Sequence, residues 1–519
     1  MSYAIGIDLG TTNSVVSVYR RGVVETISVD GRSAVPSVVS VRQDGSMLVG
    51  QMAKARMILD PDNTISSAKL FMGDPKKVYH IGNKSFCPED IGSIILKRMV
   101  KAAKDTIGQE IKDAVITVPA YFDEKQRAAT KKAGEEAGLN VLRLIPEPTA
   151  AAISYGLDKG KDQTLMVYDL GGGTFDISIL EVRGNNFQVK AVGGDTKLGG
   201  DNFDQAIVTW VANKIKQQTG IDIIQNSNRE ALLAKQRLKE AAEMAKIELS
   251  QSDRAQIAIP DCMGQQVALE ITLQEYNDLI KPLLDRTIAC MRAVLRDAKL
   301  NASDIDRVIL VGGSTKNRAV RDVVAKEIKE PYVSDRVDEA VSHGAAIVAA
   351  NLFLPDLDAL PIEISDVTGH SLGIDMRNDN NELFFKPIIP RQTVYPCRRG
   401  ILGFTMRPSQ TEVEMNVFRG EEKVPSQNTY LGELQLNISP PQKDIIPIAA
   451  IFELDADGII HFTGVQLPSL KESRNIIDYA EKNDGELAIA LIDELISCGR
   501  AKTKSVDVGG KDHDNCRQK

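Results

Sequence analysis

Two short turns carry the residue types that phosphate chemistry needs. Asp8-Leu-Gly-Thr-Thr12 and Asp169-Leu-Gly-Gly-Gly-Thr174 each end an apolar run in a carboxylate and continue into a small-residue turn. Glycine lets backbone N–H groups approach an anion closely, and the threonine hydroxyls add donors. Asp8 and Asp169 stand where carboxylates can hold a hydrated Mg2+ beside phosphates. A lone Gly-rich turn reads as plain hairpin geometry, whereas two matched Asp-Leu-Gly turns favour a phosphate cradle. A third glycine pair, in Val308-Ile-Leu-Val-Gly-Gly-Ser-Thr315, follows another apolar run and could admit a nucleotide's sugar and base. The chain contains neither G-x-x-x-x-G-K-[ST] nor G-x-G-x-x-G opening a helix, which excludes a P-loop and a dinucleotide-binding fold.

Elements must position these turns. Each is followed by a second apolar run, Ser14–Tyr19 and Phe175–Leu180, so the unit is strand–turn–strand, present twice. That repeat predicts a duplicated core with a cleft between its halves. Short runs rich in Val and Ile (Ala4–Asp8, Ala114–Val118, Leu165–Asp169, Arg307–Val311) alternate with helix-like stretches (Pro88–Ile107, Glu124–Ala137, Asn228–Leu249). This alternation predicts an α/β architecture with covered sheets. After residue 366, period-2 runs such as Glu412–Phe418 and Ile448–Leu454, with a tight turn at Asp455–Gly458, predict an all-β sandwich. The expected domains are therefore a nucleotide-binding unit over 1–354, a linker over 355–366, a sandwich over 367–467, and a short helical segment with a polar tail over 468–519. Leu360, Ile362 and Ile364 alternate within the linker. They read either as plain connection or as an edge strand that docks in one state and releases in another. Gly485–Cys498 has a helical apolar stripe after an Asn483/Asp484 cap, and Gly499–Lys519 reads as polar and frayed.

Composition limits the rest. The 519 residues carry 63 basic and 71 acidic side chains, a formal charge of −8, which argues against a nucleic-acid or anionic-membrane binder. With 43% hydrophobic residues the chain is ordinary for a globular protein. No apolar stretch is long enough for a bilayer, and Met1–Asp8 lacks the pattern of a signal peptide. Six cysteines without C-x-x-C spacing exclude a zinc ribbon and fit a reducing cytoplasm.

Asp8–Asn13 (DLGTTN), Asp169–Asp176 (DLGGGTFD), Gly194–Asp204 (GDTKLGGDNFD) and Val308–Thr315 (VILVGGST) resemble the 70-kDa heat-shock, DnaK-type chaperones. So do Val118–Phe122, Glu147–Ala152 and Lys239–Ser250. The likeness runs continuously over about residues 1–354 and more loosely over 366–467, and is nearest to a short HscC-like branch with a reduced lid. It implies an actin-like, two-lobed ATPase domain followed by a β-sandwich that binds peptides, with a short C-terminal helix.

The resemblance also implies roles. Lys69 matches the lysine that positions the attacking water, Glu147 and Asp169 the carboxylates that orient water and hydrated Mg2+, and Thr174 the hydroxyl near the γ-phosphate. Asp8, Asp169 and Asp176 would flank Mg2+, through water, or K+. Gly10, Thr11, Thr12, Asn13, Gly171, Gly172, Gly173, Gly199 and Gly200 would cradle phosphates of ATP or ADP. Glu243, Lys246 and Ser250, spaced to share one helix face, would hold ribose and adenine, with Gly312, Gly313, Ser314, Lys316 and Asp338 completing the pocket. Pro119 and Arg127, together with Ile362 and Ile364, would couple nucleotide state to the linker. Ile374, Met376, Met406, Val413 and Met415 are peptide-contacting candidates, with core packing the plain alternative for each.

Several positions depart from the family. Lys316 stands where an arginine stacks on adenine, which predicts weaker adenine affinity because an ammonium is a point charge. Arg336-Val337 precedes Asp338, Pro146 precedes Glu147, Met72–Pro88 is short, and Glu363 interrupts the apolar linker. The expected function is ATP-dependent binding of apolar segments of unfolded proteins, hydrolysis switching affinity. A J-domain co-chaperone is the expected partner, and a nucleotide-exchange factor is an open one. The alternative is a nucleotide-gated regulator of one dedicated native partner.

Overall fold

The computed structural model describes residues 3–508, apart from 82–83, 157–161, 227, 334–335, 354–361, 379 and 441–442. Two compact units emerge, one holding Met1–Phe122 and Ala129–Ile364, the other Asp123–Ala128 and Ser365–Asn515.

In the first unit, the runs flanking each Asp-Leu-Gly turn form antiparallel pairs. β1 (Ile5–Asp8) pairs with β2 (Asn13–Arg20), in a sheet ordered β5-β4-β1-β2-β3 with β3 at Val23–Ile27, β4 at Asp113–Val118 and β5 at Asn140–Pro146. A second sheet is ordered β9-β6-β7-β8 within this unit, with β6 at Gln163–Leu170, β7 at Phe175–Arg183, β8 at Asn186–Asp195 and β9 at Arg307–Val311. In both sheets the turn-bearing strand also pairs in parallel with a later strand: Ile5 faces Ala114, and Leu165 faces Arg307. The repeated motif is thus a repeated topology. Leu165–Leu170 are all buried, which explains the apolar run Leu165–Tyr168: side chains on both faces of the sheet are covered.

The covering helices follow. α1 (Glu147–Gly156) lies against β8, where a methyl group on Gly156 would come within 2.8 Å of the Phe187 ring. α2 (Gly200–Thr219), α3 (Arg229–Leu249) and α4 (Leu273–Ala298) share one core with the second sheet, in which Phe203, Leu238 and Tyr276 join Tyr168 and Phe175. α5 (Ala340–Phe353) packs on the first sheet, with Ser17 and Ser342 hydroxyls 2.8 Å apart. It also meets α1: a Cβ on Gly344 would stand 1.8 Å from the Ala150 carbonyl oxygen. Only glycine permits that approach, and through it the two halves join at the base of the cleft.

The second unit is a sandwich. Its strands are β10 (Leu372–Arg377), β11 (Leu383–Ile389), β12 (Cys397–Phe404), β13 (Glu412–Arg419), β14 (Thr429–Asn437), β15 (Pro447–Leu454), β16 (Ile460–Gln466) and β17 (Lys502–Val508). They form two sheets, β11-β10-β13-β14 and β12-β15-β16-β17. Ile448, Ala450, Phe452 and Leu454 of β15 point into the core with Ile374, Met415 and Leu434. Their neighbours Ala449 and Ile451 point outward, under α6 (Arg474–Lys482) and α7 (Ile489–Ser497), against Ile476, Ile477 and Ile492. Both faces of β15 are therefore buried. The turn at Asp455–Gly458 forms as expected: the Gly458 amide donates to the Asp455 carbonyl, with Gly458 at φ +76°.

Three expectations for the end of the chain are corrected. The helix read over Gly485–Cys498 begins only at Ile489, because Asp484 and Gly485 take φ of +52° and +84° and turn the chain into the β12 edge instead of capping a helix. A further helix, α6, precedes it, held by Ile476, Ile477 and Ala480 at helical spacing. Residues 502–508, read as frayed, are strand β17, paired in register from Ile460–Val508 to Gln466–Lys502. The helical segment is thus inserted between two adjacent strands, and the sandwich sheet continues past residue 467. Residues 509–519 lie outside the described residues, as does Leu360 of the linker.

One cross-strand pair sets a pH dependence. His461 of β16 lies 2.7 Å from Asp507 of β17 and 3.6 Å from Asp455. Burial pulls its pKa down, but the hydrogen bond to Asp507 and the two carboxylate charges outweigh burial, and the net shift is upward. A raised folded-state pKa gives stability that is present below about 6.5 and lost as pH rises through the folded value. The melting-temperature difference between the unsubstituted chain and His461→Gln should be larger at pH 5.5 than at pH 8.5. An equal difference at both would show that the pair does not titrate with folding.

Candidate active site

The two turns face one another across a cleft of about 390 Å³. Gly10 follows β1, and a Cβ there would lie 2.0 Å from the Asn13 carbonyl oxygen. A Cβ on Gly172 would lie 1.8 Å from Thr12 Oγ1, so the cradles touch at a point only glycine can occupy. The Gly171 amide donates to the Thr174 carbonyl, the Gly200 amide to the Gly171 carbonyl and the Asp201 amide to the Gly172 carbonyl. Ser314 Oγ also donates to the Gly171 carbonyl, at 2.9 Å. The residues 171–174, 199–201 and 312–314, distant in sequence, thereby become one wall. Thr12 Oγ1 is buried against Gly172 with no hydrogen-bond partner among the described residues.

Charge gathers beneath the turns. Lys69, on a short 3-10 turn at Ala68–Phe71, is 6% exposed, bonds Glu147 Oε1, and lies 5.6 Å from the Phe122 ring centre. Glu147 opens α1 directly after Pro146, which closes β5 opposite Val118. Asp8 Oδ1 accepts from Thr117 at 2.9 Å, and Asp176 Oδ1 from the Tyr121 amide at 3.0 Å. Burial, then repulsion from Glu147, pushes both Asp8 and Asp176 up to about 7, and drives Asp169 well above the carboxylate range. Among the described residues, three buried carboxylates (Glu147, Asp169, Asp176) and the half-buried Asp8 therefore share the Lys69 ammonium. That excess of negative charge suits a site completed by cations. Among the described residues no group of three or more His, Cys, Asp or Glu side chains converges on one metal position.

The side of the cleft lined by α3 and residues 312–316 is polar. Lys246 on α3 pairs with Asp204 at 2.8 Å and reaches the Gly200 carbonyl at 3.4 Å. Glu243, one turn earlier, pairs with Lys54 at 2.9 Å. Lys316 donates to Asp338 at 2.6 Å, so its charge is already engaged. Gly10, Thr11, Thr12, Asn13, Lys69, Glu147, Asp169, Gly171, Gly172, Thr174, Gly200, Glu243, Lys246, Gly312, Gly313, Ser314, Lys316 and Asp338 all line the cleft with Asp8. Asp176, Gly173 and Gly199 do not line it, although Gly199 packs against the backbone of Gly172 and Gly173. Ser250 does not line it, and its hydroxyl donates to the Ile247 carbonyl at 2.6 Å. Lys54, Asp201 and Asp204 line the cleft without having been singled out. Asp204 was visible inside the GDNFD string, while Lys54, a lone lysine in Gln51–Arg56, offered no signal.

The remaining candidates lie elsewhere. Pro119 directly follows β4, and Arg127 is buried on the helix Glu124–Glu136. The Glu363 amide donates to the Asn185 carbonyl at 3.1 Å, and its carboxylate accepts from Asn186, so the chain beside Ile362 and Ile364 extends the β8 edge. Ile374 and Met415 are buried in the sandwich core, Met376 and Val413 pack against it, and Met406 is 69% exposed near Phe404.

The family model for Hsp70 protein matches residues 4–504. The chain belongs to the Hsp70 family. It is 44% identical over 487 residues to the chaperone protein DnaK of Thermotoga neapolitana, covering 92% of this chain and 80% of that protein. To the chaperone protein DnaK of Thermosipho melanesiensis it is 42% identical over 492 residues, covering 92% and 81%. This Hsp70-family chain has the α/β ATPase region, the β-rich region after it and the helical segment beyond, and it is a nucleotide-binding ATPase. Its function is ATP-dependent chaperoning, and nothing in these matches supports a regulator dedicated to one native partner. No helix among the described residues is long and apolar enough to cross a membrane.

Proposed function

We propose that this chaperone hydrolyses ATP in the cleft between the matched turns and uses the nucleotide state to set the affinity of its sandwich for apolar peptide segments. The observation that carries the reading is the convergence of both Asp-Leu-Gly turns, Lys69 and Glu147 on one cleft. Phosphoryl transfer to water depends mainly on positioning and charge compensation. Backbone amides of residues 10–13 and 171–174 cradle the phosphates. Lys69 compensates charge at the γ-phosphate, and Glu147 and Asp169 orient the attacking water. Thr174, whose carbonyl is already used by the Gly171 amide, offers its hydroxyl to the terminal phosphate. Mg2+, held through water by Asp8 and Asp169, supplies further neutralisation of phosphate charge when bound, and K+ suits the Asp8 and Asp176 side of the same cluster.

The domains take the boundaries 1–354 for the ATPase unit and 355–366 for the linker, with coupling through Pro119, Arg127, Ile362 and Ile364. A cytoplasmic location, a J-domain co-chaperone and a short HscC-like ancestry complete the proposal. The helices α6 and α7 cover the outer face of a sheet while Met406 and Phe404 stay exposed, which favours an uncovered peptide site and fast peptide exchange.

Steady-state ATP hydrolysis with and without saturating unfolded peptide tests the reading. We expect stimulation, and its loss in the double variant Ile362→Asp, Ile364→Asp. Hydrolysis indifferent to peptide would count against coupling. Thr174→Ala should keep ATP binding and slow hydrolysis about 10–100-fold, and unchanged turnover would remove Thr174 from the mechanism.

A further inference from the structure

The segment between α6 and α7 does something that neither helix requires. After α6 ends at Lys482, the left-handed residues Asp484 and Gly485 turn the chain back toward β12, the outermost strand of its sheet. There Glu486 pairs with Ile401 as an antiparallel bridge. The Leu402 amide donates to the Gly485 carbonyl at 3.0 Å, and the Leu487 amide to the Gly400 carbonyl at 2.9 Å. Leu487 is 5% exposed, and its Cδ1 would lie 3.0 Å from a Cβ on Gly400, so the glycine makes the room that the leucine fills. Basic side chains frame the contact: Lys386 pairs with Asp484 at 3.1 Å, and Arg398 with Asp493 at 2.6 Å.

An open sheet edge is a template for a further strand, and extended peptides use such edges, taking affinity from main-chain bonds and specificity from pockets. Here the edge already holds residues 485–487 by one antiparallel bridge with two backbone hydrogen bonds, one apolar pocket and an acidic-to-basic match. We propose that the β12 edge is a strand-addition site for an extended acidic polypeptide segment carrying an aliphatic residue, and that Gly485–Leu487 is its tethered resident. The partner is a segment with the resident's chemistry: a carboxylate beside Lys386, where Asp484 now sits, and a leucine-like side chain in the Leu487 pocket. The ion pairs set the sign of charge, while the strand bonds and the leucine set the affinity, because Asp484 is itself almost fully exposed. The site adds to the peptide binding proposed above, rests only on the sandwich unit, and stands or falls separately from it.

The probe is a labelled nine-residue peptide copying residues 482–490, titrated by fluorescence anisotropy against the full chain. Leu487→Pro removes the amide that donates to Gly400 and frees the edge, and the probe should bind this variant at least tenfold more tightly than the unsubstituted chain. The double variant Asp484→Lys, Asp493→Lys alters only surface ion pairs, keeps the measurement open should Leu487→Pro not fold, and should tighten binding about threefold. A probe whose leucine is replaced by aspartate should not bind. Equal affinity of the original probe for the unsubstituted chain and for either folded variant would overturn the proposal. Nucleotide-sensitive binding of a generic apolar peptide, measured in parallel, separates the two sites. Its persistence without probe binding would sink this inference alone, and its absence with probe binding intact would sink the chaperone-site reading instead.

Discussion

Lys69→Met should lower single-turnover ATP hydrolysis by about 10²–10³-fold, the loss that follows removal of one preorganised charge-stabilising group. Lys69 is, among the described residues, the ammonium set among Asp8, Glu147, Asp169 and Asp176, and it bonds Glu147 directly. Methionine keeps the length of the side chain but leaves charge at the terminal phosphate uncompensated and Glu147 without its partner. ADP affinity should change far less, because in the proposed site the glycine turns and α3 hold the rest of the nucleotide. Breaking a buried ion pair also costs stability, of the order of 3–5 kcal/mol, so a melting curve must accompany the kinetics. Hydrolysis within about tenfold of the unsubstituted chain in a folded variant would assign the charge compensation to another cation, such as Lys246.

Gly172→Ala should be nearly as damaging, by a different route. Its methyl carbon would fall 1.8 Å from Thr12 Oγ1 and 3.0 Å from Thr12 Cβ, so the two turns must part. Overpacking of this kind costs about 1–3 kcal/mol, and a cradle forced open should lose ATP affinity by roughly 10–100-fold. Gly313→Ala is the matched control in the same cleft, because its nearest neighbour, Asp338 Oδ1, would stay at an ordinary 3.7 Å. Equal affinities for the two variants, measured by calorimetric titration with ADP and ATP, would show that the contact between the turns does not shape the site.

The cleft was largely legible from the chain because its residues sit in short strings whose chemistry is local: a carboxylate at a strand end, then glycines, then hydroxyls. Topology was legible for the same reason, since a strand–turn–strand string that occurs twice folds twice. What escaped is non-local or disguised. Lys54 reaches Glu243 from a helix that shows no pattern around it. Ser250 shares a helix face with Glu243 and Lys246 but spends its hydroxyl on its own helix end. Lys502–Val508 reads as polar because most of the strand is exposed and only Val506 and Val508 reach the core. Asn483-Asp484 looks like a helix cap, and only the left-handed pair Asp484–Gly485 reveals a turn.

The insertion of α6 and α7 between β16 and β17 has a consequence for synthesis. The sheet β12-β15-β16-β17 receives its last strand only after 35 further residues have been added beyond Gln466, the span separating it from Lys502. At about 5–20 residues per second, translation leaves β16 as a bare border for roughly 2–7 s. During that interval the nascent chain displays one completed sheet and one unfinished one, with Phe462 and Ile460 beneath the gap. A protein that shields the unfinished surfaces of others thus passes through a moment on the ribosome when it presents such a surface itself.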